Sequence, residues 1–175
     1  MRLFFGIDIP LDAKEAIFQL THLFSANSVR VKWVRKEDLH ITLRFLGDND
    51  PHKVLEIIGN SCPEEPFYIS LKSIGAFPNR LKPRILWVGV ETGEEKVRSI
   101  YKWLDERLNS LKLKKENNFL PHITFGRVKQ GRLKIPPLDF EYPEFKIDRF
   151  YLFSSVLKIG GPEYSKISEI KLGGR

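Results

Sequence analysis

The chain has 175 residues, within the roughly 100–200 of an ordinary domain, and its 42% apolar content with 13 Phe and three Trp can fill a sizeable core. Twenty-nine Lys and Arg against 22 Asp and Glu leave a net charge of +7, and the composition excludes a disordered tail protein. No apolar run approaches the ~20 residues of a membrane span, and Met1-Arg2 runs too quickly into Asp8 for a signal peptide, so a cytoplasmic protein without membrane contact is expected.

In chain order, Leu3 to Ile9 predicts a strand, and Asp12 to Phe24 predicts a helix with Ala13, Ala16, Ile17, Leu20, Leu23 and Phe24 on one face. Asp12 with Glu15 reads as its capping box. A second strand is expected at Leu39 to Leu46. Asp50-Pro51 then supplies an N-cap and a first-turn proline for a short helix that ends at Gly59. Cys62, the single cysteine, excludes an intrachain disulfide or a Cys-rich zinc site and reads as a small buried residue. Strands follow at Phe67 to Phe77 and Ile85 to Val90. Thr92 with Glu95 should open a third helix carrying Val97, Ile100, Tyr101, Leu104 and Leu108. The remaining strands are expected at His122 to Val128, Phe145 to Phe153 and Tyr164 to Leu172. These elements make one α+β domain over residues 1–175 with an antiparallel majority.

The basic excess is uneven. Lys112, Lys114, Lys115, Arg127, Lys129, Arg132 and Lys134 face only Glu116 within residues 112–134, which suits either a phosphate-bearing partner or a solvated face.

One motif repeats. His40-Ile41-Thr42-Leu43 and His122-Ile123-Thr124-Phe125 lie nearly half the chain apart, which suggests two similar lobes that bring the two strands side by side. Strand alternation puts His40 with Thr42, and His122 with Thr124, on one face at a spacing of about 7 Å. Two imidazoles that titrate near neutrality can accept and donate a proton in one turnover, and threonine offers a neutral donor to a phosphate oxygen. A zinc site built on His40 and His122 lacks a third ligand at suitable spacing. His22 and His52 have no Thr partner and read as surface or packing residues. By parity Arg44, four beyond His40, shares the catalytic face. Arg127, five beyond His122, needs a bulge or a strand end to reach it. Phe5, Trp33 and Tyr164 are rings able to stack a base, with a core role the alternative for the first two.

With their flanks, Leu39 to Gly47 and Pro121 to Arg127 resemble the paired His-X-Thr-X signature of the 2H phosphoesterase superfamily. Arg2-Leu3-Phe4-Phe5, Trp33-Val34, Gly75-Ala76-Phe77-Pro78, Pro83-Arg84-Ile85-Leu86-Trp87-Val88-Gly89 and Gly161-Pro162-Glu163-Tyr164 resemble its RNA 2′,3′-cyclic phosphodiesterase branch, first named 2′-5′ RNA ligase. The resemblance implies a two-lobed, pseudo-twofold α+β fold, with antiparallel sheets lining a central cleft, helices outside, and no metal or other cofactor. It implies that His122 accepts a proton from water, that His40 donates one to the O3′ leaving group, and that Thr42 and Thr124 hold the non-bridging oxygens. Arg127, Arg44 and Tyr164 are the candidate substrate contacts. The expected partner is RNA with a 2′,3′-cyclic phosphate end, tRNA among the candidates, acted on by a monomer. Joining that end to a 5′-hydroxyl is the alternative reaction, and RNA-end binding without catalysis is the alternative outside enzymology.

Overall fold

The computed structural model describes residues 1–24 and 29–174. The chain runs β1 (Arg2–Asp8), α1 (Leu11–Leu20), β2 (Arg30–Trp33), β3 (His40–Asp48), α2 (Pro51–Ile58), β4 (Ser61–Cys62), β5 (Phe67–Phe77) and β6 (Ile85–Val90). It continues with α3 (Glu94–Arg107), β7 (His122–Gln130), β8 (Glu141–Ile147), β9 (Arg149–Lys158) and β10 (Gly161–Leu172). The strands are ordered β4-β10-β9-β1-β3-β7-β6-β5-β8, with β2 beside β7. Every pairing is antiparallel except the short one between β10 and β4.

Local chemistry explains the helix starts, and two differ from expectation. Asp50 caps α2 as its pattern predicts, accepting the His52 N–H at 2.9 Å, with Pro51 in the first turn. At α1 the Asp12–Glu15 capping box does not form. Pro10 is the N-cap, and Glu15 is engaged by Lys36 and Gln19 instead. The last expected turn, Thr21–Leu23, tightens into a 3₁₀ helix. At α3 the cap is Gly93 rather than Thr92. Its φ of +83°, and a Cβ position only 2.3 Å from the Tyr68 carbonyl oxygen, suit no residue but glycine.

Two short strands escape the hydrophobic pattern, β2 and β4. The single run expected at Phe145 to Phe153 is interrupted at Asp148, between β8 and β9. The apolar stripes of the helices, Ala13 and Ile17, Val54 and Ile58, and Val97, Ile100 and Leu104, pack in one core with Ile41, Leu43, Ile123 and Phe125 from the same face of the sheet. That leaves the other face free for a cleft. No helix among the described residues is long and apolar enough to cross a membrane.

The halves repeat a strand-helix-strand unit. β1-α1-β3 pairs Gly6 with Thr42, Ile7 with Ile41 and Asp8 with His40; β6-α3-β7 pairs Trp87 with Thr124, Val88 with Ile123 and Gly89 with His122. They meet where β3 and β7 pair Ile41 with Ile123, so equivalent residues lie across a local twofold axis. Both His-Ile-Thr segments thereby reach the middle of the sheet.

Candidate active site

β3 and β7 show the same alternation: His, Thr half-buried, Ile and the next apolar residue fully buried. The cleft above them, about 660 Å³, is lined by His40, Thr42, His122 and Thr124 together. The apolar side chains that anchor each strand thus fix the direction of its polar ones.

Strand parity fails one residue later, in both lobes. Along β1, Gly6 faces Thr42 but Phe5 faces Arg44, so Leu43 is an extra residue; along β6, Trp87 faces Thr124 but Leu86 faces Gly126, so Phe125 is extra. Each bulge reverses the alternation that follows. Arg44 therefore turns away from the cleft, contrary to the parity expectation, and Arg127 turns into it. The Arg44 guanidinium is buried against α3 and the loop beyond it, donating to Asp105 (3.1 Å), Glu116 (2.9 Å) and the Lys114 carbonyl (2.8 Å). At the position equivalent to Arg127 stands Phe45, whose exposed ring also lines the cleft. Aligning the two His-Ile-Thr copies pairs Phe45 with Arg127, a signal that would have marked both. Position 126, equivalent to Arg44, must be glycine, since a Cβ there would lie 2.7 Å from the Trp33 ring.

Each imidazole is oriented by backbone. His40 Nδ1 lies 2.7 Å from the Asp38 carbonyl oxygen and His122 Nδ1 2.5 Å from that of Leu120. A carbonyl only accepts, so both rings carry a proton on Nδ1 and Nε2 is the nitrogen left for chemistry. His40 Nε2 is 2.9 Å from Thr42 Oγ1. Phe4 and Tyr164 pack on the His40 ring, with centroids 5.0 and 5.4 Å away, and Phe77 meets the His122 ring edge-on at 5.1 Å.

Burial pushes both histidines below their ordinary pKa, by disfavouring the imidazolium, and the two carbonyl bonds oppose it. The surroundings then diverge. His40 has Asp38 and Asp8 to sustain positive charge, with Lys14 acting the other way, whereas Arg127 adds to the depression at His122. Two residues before the histidine the first lobe has Asp38 and the second Leu120, and the register adds to the difference: Asp8 faces His40 where the second lobe has Gly89 facing His122. Burial works against the Asp8 carboxylate, but hydrogen bonds from Lys14 and Lys166 outweigh it and keep its pKa below the usual value.

Tyr164 and Trp33 line the cleft, the latter half-buried and parallel to the Phe125 ring. Phe5 does not; it is fully buried against Phe150. Lys32, Arg127 and Lys129 line the cleft without a carboxylate partner among the described residues, while Arg35 is tied to Asp38 at 2.8 Å. The basic run is therefore split, because Lys114 sits with Arg44 on the helix side and Lys129 on the cleft side. Lys32 escaped sequence reasoning and Phe77 entered it only within a flanking segment, not as a site residue; neither belongs to a repeated motif. Cys62 is buried, with its thiol pushed up chiefly by burial.

Two imidazoles and two threonine hydroxyls on one cationic cleft, related by a twofold axis, define a two-histidine phosphoesterase. The family model described as LigT like Phosphoesterase matches residues 7–87 and again 88–164, one match per half. The chain belongs to this LigT-like family of 2H phosphoesterases. It is 38% identical to the RNA 2′,3′-cyclic phosphodiesterase of Methanocaldococcus jannaschii, with 97% of this chain and 99% of that protein covered. It is 32% identical to the protein of the same name from Thermotoga maritima, over 99% and 97%. The crystal structure of the Thermus thermophilus protein TT0787 superposes with a TM-score of 0.86 at 27% identity, covering 99% of both chains.

Proposed function

We infer that the protein is an RNA 2′,3′-cyclic phosphodiesterase that opens the cyclic phosphate to a 2′-phosphate. The observation that carries this reading is the pair of imidazoles whose Nδ1 atoms are committed to carbonyls, leaving both Nε2 atoms for one cationic cleft. The names of the relatives support the substrate class. Neutral His122 takes a proton from the attacking water, a P–O bond to that oxygen forms, and the P–O3′ bond breaks. Protonated His40 delivers its Nε2 proton to O3′. Its neighbours Asp8 and Asp38 suit it to the charged role and Arg127 suits His122 to the neutral one. Thr42, Thr124 and Arg127 donate to the non-bridging oxygens, where charge builds. Tyr164 stands beside His40 in reach of the terminal nucleotide. The protein acts as a single domain and a monomer, in the cytoplasm, on RNA ends of which tRNA is one source.

The test is incubation with an oligonucleotide ending in a 2′,3′-cyclic phosphate, in chelator, with the product identified. A 2′-phosphate end is expected. A 3′-phosphate, an intact cyclic end, or a requirement for divalent ions would each overturn the reading.

Rate against pH should be bell-shaped. The acid limb rises as His122 loses its proton and the alkaline limb falls as His40 loses its own. Both limbs of kcat/KM should be drawn toward acid because burial lowers both pKa values in the free enzyme. Bound phosphate is negative and favours the imidazolium, so the limbs of kcat should lie at higher pH than those of kcat/KM. Coincident limbs would contradict this.

Affinity for an oligonucleotide should fall with salt by about 0.7 logarithmic units per decade for each phosphate neutralised. Replacing Lys32 or Lys129 by Met should each flatten that slope by one such increment, read from binding isotherms at several salt concentrations.

A further inference from the structure

The two lobes share a second likeness that no sequence repeat announces. In each, a cation from the start of the helix that follows β1 or β6 reaches the carbonyl three residues before the histidine. Lys14 Nζ of α1 donates to the Glu37 carbonyl at 2.9 Å, and Arg98 Nη1 of α3 donates to the Phe119 carbonyl. The carbonyl one residue further on, that of Asp38 or Leu120, is the one that accepts from the histidine Nδ1. A helix side chain, a backbone turn and an imidazole therefore form the same chain of contacts twice.

We propose that Lys14 and Arg98 are positioning residues for His40 and His122, each anchoring the peptide next to the one whose carbonyl selects the Nδ1–H tautomer and aims Nε2 at the phosphate. A neutral imidazole in water favours the proton on Nε2, the form useless to a base that must accept there, so the carbonyl has to stay in place. The device is unequal between lobes. Residues 36–38 form a 3₁₀ turn with backbone bonds of its own, from Asp38 N to the Arg35 carbonyl and from Leu39 N to the Lys36 carbonyl. Residues 113–121 lie outside helix and strand, and among the described residues no backbone–backbone bond ties them. Arg44 holds the early part of this segment, at Lys114 and Glu116, and next to Leu120 the holding is done by Arg98 and the stack of Phe119 on Tyr101, 4.1 Å between ring centroids. Arg98 should matter more to His122 than Lys14 does to His40. Charge alone does not require the contacts: Arg98 already has Glu94 at 2.6 Å and Lys14 has Asp8 at 2.8 Å.

The inference rests on the acid/base reading of the two histidines, and its test separates the two. Imidazole ¹⁵N spectra of histidine-labelled protein, recorded above the range in which the rings titrate, give the tautomer of each ring without substrate; His22 and His52 serve as references. In Arg98→Ala, on an exposed helix position, His122 should move toward the Nε2–H form while His40 stays, and Arg98→Lys should restore it. Lys14→Met leaves Asp8 its partner Lys166 and should move His40 alone, by less. With cyclic nucleotide as substrate, kcat of Arg98→Ala should drop about ten- to a hundredfold, the scale of a small misplacement of a reacting group, with KM near wild type. The proposal fails if the His122 tautomer is unchanged in Arg98→Ala, or if both rings shift together with a lowered Tm, which is general loosening. Tautomer shifts without any activity in the wild-type protein would leave the positioning intact and sink the reaction assigned to the site.

Discussion

His122→Ala is expected to lower kcat on a 2′,3′-cyclic nucleotide by about two to four decades, the range for a positioned general acid or base, and His40→Ala by a similar amount. Neither change should unfold the protein. Each ring is half-buried and sits on a strand whose apolar face, Ile41 with Leu43 or Ile123 with Phe125, holds the sheet to the core. The double variant should lose far less than the two single losses multiplied together, because both groups act on one in-line transition state and the second has little left to do once the first is gone. Steady-state kinetics with far-UV circular dichroism checks all three proteins. A single variant with near-wild-type turnover would sink the paired-histidine mechanism. Fully multiplicative losses would place the two rings in separate steps.

The next largest effect falls on stability and concerns Arg44. Its side chain is 3% exposed, whereas its partners Asp105 and Glu116 are 51% and 31% exposed. Asp105→Asn with Glu116→Gln leaves a buried guanidinium without a counter-charge, which costs about 3 kcal/mol, the low end of the range for a broken buried pair because water can reach the carboxylate side. Arg44→Met removes the charge along with its partners' purpose and should cost less. Urea unfolding of the two proteins gives the comparison. kcat of Arg44→Met should stay near the wild-type value because the guanidinium points to α3 rather than to phosphate. A thousandfold loss of kcat in Arg44→Met with stability unchanged would return Arg44 to the cleft.

Much of the fold is local and legible. Asp50-Pro51 caps α2 because both the capping carboxylate and the proline act within a few residues, and β5 and β6 occupy the runs that their apolar content marks. β2 escapes because Arg30-Val31-Lys32-Trp33 is short and half charged, and it becomes a strand by pairing with β7, nearly a hundred residues away. The capping residues of α1 and α3 were misread for a related reason. Asp12 and Thr92 are good capping types, but the chain enters α1 at Pro10 and α3 at Gly93, which the close approach of Tyr68 requires.

At the site, the sequence by itself determined which groups are the candidates for chemistry: two histidines and two threonines repeated at one spacing, with period-two alternation to set them on one face. That period is a property of the backbone and needs no partner. Tertiary structure decided everything past the bulges at Leu43 and Phe125. A bulge is a mismatch of register with a neighbouring strand, so no inspection of β3 or β7 alone tells that Arg44 leaves the cleft while Arg127 and Phe45 enter it. It also decided part of how the two histidines differ, through Asp8 opposite one and Gly89 opposite the other, and through Arg127 turned toward the second. The carbonyls that orient both rings were equally hidden, because every residue carries a carbonyl and only packing selects the one that is used.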